Sequence, residues 1–394
     1  MGRRLILSFG VLAGLFAAGY GVMFTLLDDF RDRYGISDAA LGAIVAIGFF
    51  ASFAAQVLFA PLADRGHARR LVYVGMLLNI VGLLVVAFSH VALLIAAGRL
   101  VMGLGAGMAI PAIRRIVILA DPEHLGHNVG LLLAADVAGF AVGPAISAVL
   151  VDPFGIRAPF LVIVAATIVC LPLIARVRVD EGRATGEAEQ ARFAFDLLRI
   201  RPYVGALCFG AAVFVMIGTF DSLWVLVLDD LHTADWIANV GITLFALPLI
   251  VLGSPGGRLS QRVGPFRVAT WGLLLGATFM FAYGQLPSGA TMFAVAMLHS
   301  LSDGLTVTAS GVAVGMVAPA QRQAGAQGLL GGTQTLTGGI AAILAGQLYG
   351  HFGRGLAYTV CALLMVALVI AGRHLARGAT LATPPAVAPD HVPA

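Results

Sequence analysis

The sequence predicts an all-α membrane protein whose twelve transmembrane helices form two pseudo-symmetric six-helix bundles. Of its 394 residues, 59% are hydrophobic and only 11% are charged, a balance that excludes a water-soluble domain. The apolar residues fall into twelve stretches of about 20 residues, the length that crosses a bilayer core of roughly 30 Å as a helix. The second half of the chain also repeats motifs of the first half at a shift of 197 to 201 residues.

The predicted spans follow one another with mostly short connections. They cover residues 5–27, 39–59, 71–88, 91–113, 128–151, 158–176, 203–228, 236–254, 267–285, 289–317, 326–348 and 355–373. The first apolar run extends to Leu27, which is too long for the hydrophobic region of a signal peptide. We therefore expect it to be retained as the first helix.

One long polar stretch separates the sixth span from the seventh. It divides the chain into a predicted N-terminal bundle at 1–175, a cytoplasmic linker at 176–202 and a C-terminal bundle at 203–376. The Pro/Ala-rich tail at 377–394 is predicted to be disordered. Residues 191–200 have amphipathic spacing, which predicts a short helix on the membrane surface.

The distribution of arginine predicts the orientation. Nineteen of the 24 basic residues, all of them arginine, lie in alternate connections beginning with the amino terminus, and four lie in the other connections. Cytoplasmic loops carry the positive excess, so we expect a bacterial-type inner-membrane protein with both termini in the cytoplasm. Because these arginines are spread over short loops, they do not predict a nucleic-acid-binding face.

The fifth predicted span combines a charge with small residues. Asp136 is a lone carboxylate in an apolar helix. Gly139 and Gly143 share one helix face, where a neighbouring backbone can approach closely, and Pro144 removes a backbone donor and loosens the helix. An acid beside a thin, bendable face predicts a moving membrane device rather than an anchor.

Two of the repeated segments carry the two-copy interpretation. The stretch Gly130–Gly155 is matched by Gly328–Gly353, and the connection Ala60–Arg70 is matched by Gly257–Arg267. Two six-helix units joined by a linker are the layout of transporters whose halves rock about a central site.

At these residues the sequence resembles the major facilitator superfamily over nearly its whole length. The connection between the second and third spans has the small residue, Asp-Arg pair, glycine and paired basic residues of the family signature, here Ala60, Asp64, Arg65, Gly66, Arg69 and Arg70. It departs from that signature in having Ala60 where glycine is usual and its second glycine one position early. The second copy keeps Arg262 but has Gln261 in place of the acid.

Two further helices match the family. Arg99 is followed by closely spaced glycines, as in the fourth helix of the superfamily, and Gly139, Gly143 and Pro144 are similar to the fifth-helix motif of its exporters. Ser147 and Ala148 replace the usual closing glycine pair. The resemblance is greatest to the twelve-helix drug and sugar exporters, and it implies proton-driven antiport.

The family signature implies a conformational latch. Asp64, at the end of the second span, is expected to pair with basic groups or with the cytoplasmic N-terminus of the eleventh helix, and so to hold the outward-open state. The latch set comprises Asp64, Arg65, Arg69, Arg70 and Arg262. The alternative is that these arginines only contribute to the positive charge that cytoplasmic loops normally carry.

Charges at membrane depth are the candidates for proton coupling, since each costs about 2.5–3.5 kcal/mol to insert. The first choice is Asp303 with His299 four residues before it on the same helix face. Asp136 is the second choice, and Asp221 and Arg99 complete the set. The alternatives are an internal ion pair for Arg99 and a histidine that bonds to water or a carbonyl for His299.

Aromatic and methionine residues in the first and seventh spans are predicted to line an apolar substrate cavity. They are Tyr20, Met23, Phe24, Phe214, Met216, Phe220 and Trp224. If Asp221 and Asp303 both face this cavity, it would favour cationic amphiphiles. Each of these residues taken singly is also compatible with packing or with contact to lipid.

We therefore predict a monomeric, proton-coupled exporter of small amphiphilic molecules, with no cofactor and no metal. The chain has neither a phosphate-binding loop nor a metal-binding motif, so we do not expect an enzyme. A symporter or facilitator that takes up a small metabolite remains an alternative, as does a non-transporting sensor or scaffold. A channel would need a continuous polar pore, whereas these helices offer isolated charges.

Overall fold

The computed structural model describes residues 2–176 and 192–381, and throughout these ranges the chain forms helices without any β-strand. The N-terminal half contains α1 (Gly2–Thr25), α2 (Leu27–Tyr34), α3 (Asp38–Leu62), α4 (Ala68–Phe88), α5 (Ala92–Ala120), α6 (Leu125–Phe154) and α7 (Ala158–Arg176). The C-terminal half contains α8 (Arg201–Asp230), α9 (Asp235–Val263), α10 (Pro265–Tyr283), α11 (Gly289–Thr306), α12 (Ala309–Val317) and α13 (Gln323–Leu375).

The described helices account for the twelve predicted spans. Eight helical stretches are long and apolar enough to cross a membrane, and two of these, 50 and 56 residues long, each contain two spans. The chain turns inside them at Gly66 (φ 81°) and Gly353 (φ 77°), in a backbone region that glycine adopts at little cost. The helices α7 and α9 correspond to the sixth and eighth predicted spans, and α11 with α12 to the tenth. The all-α, twelve-span fold class is confirmed.

Each half has its own apolar core. In the C-terminal half α8 packs along α13, around fully buried Tyr203, Phe209 and Trp224. In the N-terminal half α1 packs along α6. Large apolar side chains such as Leu93 and Trp271 remain exposed on the outside, a surface that suits lipid contact.

Small residues set the distance between α1 and α6. A side chain at Gly139 would collide with the backbone of Gly14, and a Cβ at Gly143 would lie 2.6 Å from the Val22 nitrogen. The glycine face predicted for the fifth span therefore packs directly against the backbone of α1, within the same half.

The two halves meet at the end of the molecule where residues 192–200 lie, which we call the linker end. There Gln56 and Ala60 of α3 contact Gly328 of α13, and the backbones of Gly126 in α6 and Gly257 in α9 touch. Only glycine allows two helices to approach this closely. The linker end is therefore closed in this conformation.

Two sequence-based expectations about the linker end are wrong. The fourth span was expected to stop at residue 113, but α5 continues to Ala120 and places Arg115 in a buried position instead of a loop. The expected surface helix is a single 3₁₀ segment at Ala194–Arg199, and Ala194 and Leu197 are buried in the core of the C-terminal half. In both cases contacts with neighbouring helices outweigh the local hydropathy. Residues 177–191 and the predicted tail from 382 onward lie outside the described residues.

Candidate functional site

Asp64 joins the two halves at the linker end. Its side chain is 2% exposed and lies in the turn between α3 and α4. One carboxylate oxygen accepts from the backbone N–H of Ala324 (2.9 Å) and the other from that of Gly325 (2.8 Å), in the first turn of α13. The first N–H groups of a helix have no partner inside it, and they carry its positive dipole end. The carboxylate of one half therefore caps a helix of the other half.

Arg115 supplies the positive charge beside Asp64. Its Nε lies 3.1 Å from the Asp64 Oδ1, and both side chains are at most 3% exposed. Charged side chains of this kind are stable inside a protein only when they are paired and hydrogen-bonded. The sequence analysis did not single out Arg115, because it placed this residue in a loop.

The other residues of the predicted latch take different positions. The guanidinium of Arg69 lies 5.8 Å from the ring centre of Tyr73, within the N-terminal half. Arg65 is half-buried next to Asp64 in the chain, whereas Arg70 and Arg262 are exposed. No hydrogen bond or ion pair joins Arg70 or Arg262 to another residue that the structure describes. Within the predicted latch set, Asp64 makes the backbone hydrogen bonds that join the halves.

The second copy of the signature makes a related contact without a charge. Gln261 Oε1 accepts from the backbone N–H of Gly126 (2.7 Å) at the start of α6, and Gln261 Nε2 donates to the Glu123 carbonyl (2.9 Å). Gln261 and Gly126 stand at the repeat positions of Asp64 and Ala324. The glutamine that departs from the family pattern therefore bridges the halves from the opposite direction.

The described part of the linker is tied to the same region. Arg322, just before α13, forms a bidentate ion pair with Asp196 (2.8 and 2.6 Å) and donates to the Phe193 carbonyl (3.1 Å). Ala194 packs against Gly325, whose N–H binds Asp64. The linker therefore buttresses the turn of α13 that Asp64 caps.

A buried polar cluster lies in the C-terminal half. His299 Nε2 is 3.4 Å from Asp303 Oδ2, and His299 Nδ1 is 2.9 Å from the Tyr283 hydroxyl. All three side chains are at most 5% exposed. With the proton on Nε2, Nδ1 accepts from Tyr283 and the remaining N–H is on the Asp303 side of the ring. The structure thus brings His299 and Asp303 together and adds Tyr283, from α10, which the sequence analysis missed.

Arg99 has no carboxylate partner among the described residues. Its side chain is 3% exposed, and its guanidinium carbon lies 4.1 Å above the ring centre of Tyr20, a cation–π arrangement. Its Nε is buried without a hydrogen-bond partner. A side chain at Gly48 would collide with the guanidinium, so Gly48 makes room for it. The alternative interpretation of Arg99, an internal ion pair, is not met among the described residues.

The remaining two acids are exposed although they lie in the middle of long helices. Asp221 in α8 is within electrostatic reach of the Tyr20 hydroxyl in the other half, and Asp136 in α6 is within reach of Arg114 in α5. Asp221 thus belongs to the same neighbourhood as Tyr20 and Arg99. Asp303 instead belongs to the buried cluster with His299 and Tyr283.

The predicted cavity residues divide into two groups. Tyr20 and Phe24 are half-buried and form an aromatic cluster with Phe49 and Phe140. Phe220 stacks on Trp224 (4.7 Å between ring centres) and lies near Tyr283 of the buried cluster. The rest of this second group is also packed within the protein: Met23, like Trp224, has no exposed surface, Met216 has 2%, and Phe214 packs against Gly338. In this conformation Met23, Met216 and Trp224 are core residues and do not line an open cavity.

Comparisons with known proteins agree with this architecture. The chain is 24% identical over 258 residues to the multidrug resistance protein MdtG of Serratia proteamaculans, a match covering 62% of each chain. It is 24% identical over 247 residues to the human synaptic vesicular amine transporter, covering 58% of this chain and 46% of that protein. The matched region thus spans about half to two thirds of these relatives.

A solved structure and a family model extend the likeness to nearly the whole chain. The proton:xylose symporter XylE has the same fold, with a TM-score of 0.76 at 14% identity, over 94% of each chain. The Major Facilitator Superfamily model matches residues 8–233 and 222–390. The chain therefore belongs to the major facilitator superfamily of multi-pass membrane transporters, and not to a family of enzymes.

Proposed function

We propose that the protein is a proton-coupled antiporter that exports small amphiphilic molecules by alternating access. The observation that carries this proposal is the buried cluster of Asp303, His299 and Tyr283. A charged carboxylate at membrane depth is costly. A carboxyl group that takes up a proton when the protein is open to one side of the membrane and releases it when the protein is open to the other side can therefore couple proton entry to export. The multidrug resistance protein among the relatives supports export of drug-like compounds.

In this proposal Asp64 is the latch of the state in which the linker end is closed. Its two backbone hydrogen bonds to α13 must break before the halves can separate there, whereas its ion pair with Arg115 lies within the N-terminal half and holds the carboxylate in place. Arg65, Arg69, Arg70 and Arg262 contribute the positive charge that keeps this end in the cytoplasm. With the linker end in the cytoplasm, the conformation described here is closed to the inside.

The α6 helix is proposed as the gating helix. Gly139 and Gly143 place it against α1 in its own half, and Gly126 and Gly130 place it against α9 in the other half. A helix that contacts both halves through backbone surfaces can slide with little side-chain resistance, and Pro144 weakens it directly after the contact with α1. Asp136 lies on the same helix, so a change in its charge would be linked to the sliding of α6.

Substrate is proposed to bind between the aromatic cluster of Tyr20 and Phe24 and the face of α8 that carries Asp221. Tyr20 stacks on Arg99, so a ligand that displaces or joins this stack meets both an aromatic surface and a cation. Asp221 would attract the cationic group of an amphiphile. This arrangement suits ligands with an apolar body and one or two polar ends.

The test uses proteoliposomes with an imposed pH gradient and a trapped pH-sensitive dye, against a panel of lipophilic cations, neutral drugs and sugars. We expect a protein-dependent collapse of the gradient when a substrate is added, with proton and substrate moving in opposite directions. Protein-free vesicles are the control. Movement in the same direction would overturn antiport in favour of symport.

The variant Asp303→Asn separates coupling from binding in this assay. We expect it to abolish pH-driven transport while exchange of labelled substrate remains measurable. Normal pH-driven transport in this variant would exclude Asp303 as the coupling residue. Asp152→Asn, which alters an exposed acid at the end opposite the linker, serves as the matched control.

A further inference from the structure

A cavity of about 330 Å³ lies at the linker end of the C-terminal half, between the start of α10 and the end of α13. Three arginines line it, namely Arg267 from α10 and Arg373 and Arg377 from the end of α13. Leu381 and Ala379 add apolar surface to the same cavity. It thus combines positive charge and apolar surface at the level where two membrane helices end.

The three arginines have no acidic counterpart. All three are exposed, and no ion pair joins them to an acidic side chain within residues 2–176 and 192–381. Arg373 and Arg377 are favourably placed near the C-terminus of α13, where the helix dipole is negative. That explanation fails for Arg267, which is the third residue of α10 and adds a cation to the positive end of a helix dipole. The concentration of positive charge therefore calls for an anion.

We propose that this cavity binds the phosphate headgroup of an anionic membrane phospholipid. Guanidinium groups bind phosphate through paired hydrogen bonds, and the first turn of α10 adds the positive end of its dipole. Basic pockets where membrane helices reach the cytoplasmic surface suit anionic lipid headgroups. A lipid is favoured over free phosphate because the apolar surface of Leu381 and Ala379 gives the glycerol and upper acyl region a place to pack.

The experiment is titration of the purified full chain, in a neutral detergent, with phosphatidylglycerol, and counting of bound lipid by native mass spectrometry. Phosphatidylcholine and inorganic phosphate are titrated in parallel. We expect phosphatidylglycerol to bind preferentially, and Arg267→Gln and Arg377→Gln each to weaken its binding about fivefold. Arg377→Lys, which keeps the charge, should weaken it less.

A matched control is Arg258→Gln, because Arg258 is exposed at the same end of the same half and does not line the cavity. Its binding of phosphatidylglycerol should equal that of the unmodified chain, and thermal unfolding without added lipid verifies that each variant is folded. Unchanged binding in the double variant Arg267→Gln/Arg377→Gln would overturn the proposal. Equal binding of phosphatidylcholine would also overturn it, and inorganic phosphate that competes at similar concentrations would overturn the choice of a lipid.

Discussion

Substituting Asp64 with asparagine removes the charge of the proposed latch while keeping the size of the side chain. Asparagine retains one oxygen to accept from Ala324, but its amide group then faces the Gly325 N–H, so two donors oppose each other. The buried Arg115 guanidinium loses its counter-ion as well. The penalty at Gly325 applies only while the linker end is closed, because Asp64 and Arg115 belong to the same half and stay together when the halves separate.

The expected size of the effect follows from these contacts. Losing a hydrogen bond between a charged carboxylate and a backbone N–H of the other half costs about 1.5–3 kcal/mol. The upper figure corresponds to a shift of about 100-fold in the equilibrium between the closed and open linker end. A population that is almost wholly closed would become mixed or largely open.

The assay is the distance between spin labels at the linker end, measured by pulsed electron paramagnetic resonance on the full chain in lipid nanodiscs. Arg70→Cys in α4 and Arg258→Cys in α9 provide exposed sites on opposite halves. Because Cys170 and Cys361 are buried, only Cys208 needs replacement by alanine. We expect Asp64→Asn to add a longer-distance population, and Asp152→Asn to leave the distances unchanged. Identical distances for Asp64→Asn and the unmodified chain would refute the latch.

Three further predictions follow from contacts that the sequence analysis missed. Gln261→Ala removes two neutral hydrogen bonds worth about 1 kcal/mol each. The same label pair should therefore show a smaller shift toward the open state than in Asp64→Asn. A shift equal to or larger than that of Asp64→Asn would contradict the greater weight given to Asp64. Tyr283→Phe removes the hydroxyl bonded to His299 Nδ1 and should alter the pH profile of transport. Tyr358→Phe should leave it unchanged, because the Tyr358 hydroxyl has no hydrogen-bond partner among the described residues; identical profiles for both variants would exclude Tyr283 from coupling. Gly48→Val should push Arg99 away from Tyr20 and lower the affinity for a transported compound about tenfold, as measured by equilibrium binding. Gly42→Val is the control, because Gly42 lies on the same helix with open space around it. An equal loss of affinity in both variants would count against the proposed substrate site.

The sequence alone determined the class of fold and its internal repeat. A bilayer leaves a chain few options, because each crossing requires about 20 apolar residues and satisfies its own backbone as a helix. The twelve apolar stretches therefore led to the correct architecture, and the position of Asp64 at the end of the second span was visible in its motif. The pairing of His299 with Asp303 was also predictable, since residues four apart on a helix are neighbours. The exact domain boundaries stay a prediction.

The tertiary structure alone decided which side chains of different helices contact one another. Arg115 meets Asp64 across 51 residues, Gln261 meets Gly126 across 135, and Tyr283 reaches His299 from a neighbouring helix. A membrane helix is apolar on all sides, so its hydrophobic pattern does not show which face meets another helix. That choice depends on small residues that let backbones approach, such as Gly48 beside Arg99 and Gly139 beside Gly14. These close approaches bring the buried charges of this transporter to their partners, and they appear only when the helices are packed together.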